Sequence, residues 1–88
     1  MTNEQILKKA IEKAVKNGYD VELSGNGNVK IFSRKDVVKR IMNPLEFIFS
    51  HDFAKAFFGL GRMGGNWEVH LQQMVLEKDP IKYLEKFI

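Results

Sequence analysis

Five of the seven phenylalanines fall between Phe47 and Phe58, and in a chain of 88 residues so dense a cluster fixes where the core must lie. A domain of this length buries roughly 60–65% of the surface its unfolded chain exposes, so each large apolar side chain counts heavily. Leu45, Ile48, Phe49, Phe53, Ala56 and Phe57 have the spacing of a helical stripe, with a break expected near Ser50-His51-Asp52. The cluster is expected to be chiefly core, and Phe47 or Phe58, which lie off that stripe, are the rings left free to be exposed. With Arg62 and Trp67 they form the candidate protein-interaction surface, because exposed aromatic patches usually bind something.

The remaining elements must cover this helical region. Ile6, Leu7, Ala10, Ile11, Ala14 and Val15 form one stripe of a helix over 3–17, with Thr2 and Gln5 as a capping box and Gly18 as its stop. On its polar face Glu4–Lys8 and Glu12–Lys16 have the favourable i,i+4 orientation. Tyr19, Val21 and Leu23 alternate with polar residues, and Val29 and Ile31 flank Lys30 beyond Ser24-Gly25-Asn26-Gly27-Asn28, which is a β-hairpin signature. Keeping the apolar residues on one face requires Leu23 opposite Val29 and Val21 opposite Ile31, which puts Glu22 opposite Lys30. A two-residue turn would break that register, so an odd loop centred on Asn26 is expected, with Gly27 left-handed.

Ser33-Arg34-Lys35-Asp36 reads as a capping box before Val37, Val38, Ile41 and Met42, so a short helix is expected there, ending before Asn43-Pro44. The β-branched pair leaves a strand open as the alternative. Gly59 to Asn66 form a glycine-rich loop, and Trp67, His70, Leu71, Met74 and Val75 define a further helix. Asp79 caps and Pro80 opens a last helix carrying Ile81, Leu84, Phe87 and Ile88. The expected fold is α+β, a short antiparallel β-hairpin packed against four or five helices, as a single domain over 1–88.

Composition narrows the chemistry. The chain has no cysteine, which excludes disulfides, a thiolate nucleophile and Cys-rich metal centres. No apolar run approaches the ~18 residues of a membrane span, and Met1 to Gln5 do not open a basic, then apolar, leader. A cytoplasmic location is therefore expected. The net charge of +3 is uneven: residues 1–44 hold nine Lys/Arg against five Asp/Glu, and 45–88 hold five against six. Lys30, Arg34, Lys35, Lys39 and Arg40 are the densest positive stretch, a candidate surface for phosphate contacts. No helix with base-reading side chains at successive turns accompanies them, and three helices do not precede the hairpin as they would a wing.

Three segments are similar to a recurrent set of small phage and prophage proteins: Asn43 to Gly59, including Ile48-Phe49-Ser50-His51-Asp52-Phe53-Ala54-Lys55-Ala56-Phe57-Phe58-Gly59; Trp67 to Leu76, including His70-Leu71-Gln72-Gln73-Met74-Val75-Leu76; and Asp79-Pro80-Ile81-Lys82-Tyr83-Leu84-Glu85-Lys86-Phe87. Ala10 to Gly18 match a similar opening more loosely, and residues 59–66 look like a variable join. The resemblance implies a phage or mobile-element origin and a bacterial host cytoplasm, and it brings no activity with it.

Signals for catalysis are weak. Gly59-Leu60-Gly61-Arg62-Met63-Gly64 fits G-x-G-x-x-G, but a phosphate-binding turn needs a preceding strand in a βαβ unit, and here a Phe-rich helix precedes it. It reads as a loop with Arg62 exposed. His51-Asp52 with His70 makes at most a partial metal site, so Ser50 or Asp52 is expected to cap a helix instead. His70 shares a face with Trp67, Leu71 and Met74 and needs a hydrogen-bond partner, expected to be Asp52 or a backbone carbonyl. Asp52, His70, Asp79 and Pro80 are thus assigned structural roles. No catalytic residue, cofactor or metal is assigned. The expected function is a macromolecule-binding accessory protein acting through protein–protein contacts, with non-sequence-specific nucleic-acid binding by the 30–40 segment as the alternative.

Overall fold

Thr2 begins the first helix as its sequence implies. Its hydroxyl accepts from the Gln5 N–H at 3.2 Å, and the Gln5 amide oxygen accepts from the Thr2 N–H at 3.0 Å. The computed structural model describes residues 1–33, 37–59 and 67–88. Helix α1 spans Asn3–Lys16 and buries Ile6, Leu7, Ala10, Ile11 and Ala14. It closes on Gly18 at φ +94°, a conformation that costs glycine nothing. Val15, placed on the stripe by its spacing, is exposed instead, because it sits at the margin of a groove described below.

Strands β1 (Val21–Leu23) and β2 (Val29–Phe32) pair in the expected register, Val21 with Ile31, Glu22 with Lys30 and Leu23 with Val29. Gly27 adopts φ +87° in the connecting loop, as the odd loop requires. The segment after the hairpin is a third strand, not the expected short helix: β3 (Val38–Met42) pairs antiparallel with β2. Pairing with β2 lets Met42 join the core opposite Val29, whereas a helix would have left the outer edge of β2 unpaired. A bulge lies where Phe32 meets Val38, and the sheet order is β1-β2-β3. Residues 34–36, the rest of the supposed capping box, lie outside the described residues.

Asn43 and Pro44 open a helix; Asn43 accepts from the Glu46 N–H at 2.9 Å, and α2 runs Pro44–Ile48. The break comes at Ser50, which caps α3 (His51–Ala54) by accepting from the Phe53 N–H at 3.3 Å. A π-helical turn, Lys55–Gly59, follows directly. Helix α4 is Trp67–Leu76 and α5 is Pro80–Glu85, the latter capped by Asp79 and opened by Pro80. One apolar cluster joins α1, the inner face of the sheet and the helical half, from Ile6 to Leu84. Phe47, Phe53, Ile48, Met74 and Leu84 lie at its fully buried centre. Among the described residues no helix is long and apolar enough to cross a membrane.

Candidate functional site

Phe47, Phe53 and Phe57 belong to the core, and Phe58 packs against it. Phe47, a candidate for the interaction surface, is fully buried, stacked on Tyr19 at 6.0 Å and packed against Phe53 at 4.7 Å, as the core reading of the cluster expects. The cap at Ser50 restarts the helix and turns Phe53 toward Phe47, so a ring off the first stripe still faces inward. Phe58 is half-buried among Phe57, His70, Tyr83 and Phe87. Trp67 is half-buried too, with the His51 ring 5.5 Å away and the Lys55 ammonium 5.2 Å from its own ring. A side chain at Gly59 would lie 2.9 Å from Trp67 Cδ1, so glycine is required there by close approach. Arg62 lies outside the described residues, as does the rest of the G-x-G-x-x-G segment after Gly59.

His70 is held differently from expectation. Its Nδ1 lies 3.0 Å from the Tyr83 hydroxyl, so the tie runs between α4 and α5. Asp52 is exposed on the first turn of α3 and is not the partner. The two histidines sit against different rings, His51 against Trp67 and His70 against Phe58. Among the described residues no three His, Asp or Glu side chains converge as metal ligands. Burial raises the Tyr83 phenol above its ordinary pKa, and Glu77 adds to the effect. Tyr19 is also raised, first by burial and then by the Asp52 charge, against smaller opposing effects of Ser50 and Arg40.

The basic segment is divided by the sheet. Lys30 faces the solvent side, opposite Glu22 on one neighbour and Ile41 on the other, and Arg40 stands opposite Ile31 on the inner side. Lys39 and Arg40 are exposed; Arg34 and Lys35 lie outside the described residues. β3 is an edge strand with four of its five residues exposed, and on it Val38 and Ile41 are 45% and 57% accessible. Sequence reading missed this surface because the capping-box signal competed with the β-branched pair Val37-Val38, and the bulge beside Val38 breaks the period-two pattern.

At the opposite edge of the sheet, a groove of about 800 Å³ runs between α1 and β1. Ile11, Val15, Val21, Leu23 and Ile88 supply its apolar lining, and Lys8, Lys9 and Lys16 stand around it with Glu12 and Glu22. Lys13 also borders the groove, but its ammonium is engaged by the Phe87 carbonyl at 3.0 Å and lies 4.5 Å from the Phe57 ring. The i,i+4 pairs expected on α1 do not close: among the described residues the one ion pair joins the Met1 ammonium to Glu85 at 3.7 Å. The lysine heads of α1 are therefore not neutralised by direct contact.

Comparison with protein-family models, with curated proteins and with solved structures yields no match.

Proposed function

We propose that the chain is a small accessory protein of the phage or prophage type, and that its work is to bind another protein. The observation that carries this reading is the open edge of β3, where Val38 and Ile41 are exposed beside Lys39 and Arg40. Ile31 bonds across to Arg40 in the ladder, so the backbone groups of the next residue, Ile41, point away from β2. An edge that offers both apolar side chains and free backbone groups is suited to strand addition or to a flat protein interface. Charge on this edge works against self-pairing, because a two-fold pairing centred on Lys39 or Arg40 sets like charges opposite one another.

Nucleic-acid binding is the competing reading, and the adjacent exposed cations Lys39 and Arg40 favour it. The division of Lys30 and Arg40 between the two faces of the sheet weighs against a single phosphate-tracking surface. Both readings meet in one pair of measurements. A photo-crosslinking residue in place of Val38 should give a discrete protein adduct in host cells, lost on Ile41→Glu. Amide NMR titration with short single- and double-stranded DNA and RNA should leave Lys30, Lys39 and Arg40 unmoved. Salt-sensitive shifts at those three residues without a protein adduct would reverse the order of the two readings.

A further inference from the structure

The groove between α1 and β1 has the features of a peptide site at the sheet edge away from β3. The ladder fixes which backbone groups of β1 face it. The Phe32 N–H donates to the Asp20 carbonyl at 2.9 Å and the Ser24 N–H to the Asn28 carbonyl at 2.8 Å. In an antiparallel pair the bonded residues alternate, so Asp20, Glu22 and Ser24 bond to β2 while the N–H and C=O of Val21 and Leu23 point the other way. Among the described residues no protein group takes up those four backbone groups. The side chains of the same two residues turn inward to line the groove with Ile11, Val15 and Ile88.

Charge defines what belongs there. Lys8, Lys9 and Lys16 are exposed along the groove, and Glu12 and Glu22 offset them only in part. Lys8 and Lys16 are separated by roughly 12 Å along α1 at ~1.5 Å per residue. That matches about four steps of an extended chain at ~3.3 Å each. We propose that this groove binds an extended acidic segment of another protein as a fourth strand against β1, with the pattern acidic-x-apolar-x-acidic. The apolar residue fills the groove over Ile11 and Val15, the flanking carboxylates meet Lys8 and Lys16, and backbone bonds form to Val21 and Leu23. This site is independent of the β3 edge, so either can fail without the other.

The test is an amide NMR titration of the isotopically labelled full chain with a capped seven-residue peptide: glutamate at its second and sixth positions, valine at its fourth and threonine elsewhere. Saturable shifts centred on Val21 and Leu23, with slowed solvent exchange of those two amides, are expected. A peptide N-methylated at the amides facing β1 should not bind, a control that needs no protein variant. The double substitution Lys8→Glu/Lys16→Glu, at exposed positions, should weaken binding about fivefold or more. The proposal is overturned if millimolar peptide leaves Val21 and Leu23 unmoved, or if the N-methylated peptide binds as well. It is equally overturned if sodium oleate shifts those amides and the peptide does not, since the groove would then hold an anionic amphiphile without strand pairing.

Discussion

His70 and Tyr83 share a hydrogen bond of 3.0 Å between helices α4 and α5, and both rings pack with Phe87, at 4.9 Å and 5.4 Å between centroids. Tyr83→Phe keeps the ring and deletes the bond, so it should cost about 1 kcal/mol. His70→Ala should cost more, because His70 also stacks on Phe58 at 4.5 Å. Urea unfolding of the two single variants and the double variant measures the coupling directly; additivity would mean the bond contributes nothing.

Asn17 joins distant parts of the chain in a similar way. Its side-chain amide donates to the Ala56 carbonyl at 2.6 Å, anchoring the end of α1 to the π-helical turn. Asn17→Ala should lower stability by about 1 kcal/mol. In a domain of this size that corresponds to a fall in Tm of roughly 4–8 °C, readable by thermal unfolding. An unchanged Tm would show that solvent replaces the amide at no cost.

Gly27 isolates a backbone effect. A Cβ there would meet nothing within 4 Å, yet φ is +87°. Gly27→Ala should therefore destabilise by roughly 1 kcal/mol from conformation alone, with the hairpin register unchanged in the NMR spectrum. A stabilising outcome would indicate that the loop relaxes to a different turn.

Tyr19 and Tyr83 are the chain's two tyrosines, and both are raised above the ordinary phenol pKa near 10. The folded state thus holds these protons more tightly than the unfolded chain does. The resulting stabilisation is fully present below about pH 10 and is lost as pH rises through the folded-state values. Phenolate absorbance should appear at higher pH in the native protein than in denaturant. Asp52→Asn should bring Tyr19 part of the way back, since burial is the larger cause. A native titration superimposing on the denatured one would refute the burial account.

Local pattern carried the first third of the structure into view. Thr2, Gln5, Gly18, Gly27 and the pairing of Val21 with Ile31 all follow from caps, turn chemistry and period-two alternation, which act over a few residues. Val37 to Met42 were harder, because two local rules gave opposite answers and only the open edge of β2 decided between them. Phe47 and His70 depended on which helices meet, a tertiary fact that spacing within one helix does not hold. The α1–β1 groove was legible only as separate lysines and an exposed-looking stripe margin at Val15. Its shape comes from the angle at which a helix crosses the end of a sheet.

The π-helical turn at Lys55–Gly59 bears on how this chain tolerates changes of length. In an α-helix residues five apart point about 140° from one another, whereas the wider i→i+5 turn narrows that angle. The wider turn is what lets neighbours Phe57 and Phe58 both reach inward, Phe57 stacking on Phe53 and Phe58 meeting His70. Deleting one residue between 55 and 59 would give a more regular backbone and a worse protein, with Phe58 swung away from α4 and α5. Homologous chains that keep this core should therefore conserve the spacing from Ser50 to Gly59 more strictly than the identity of its exposed residues.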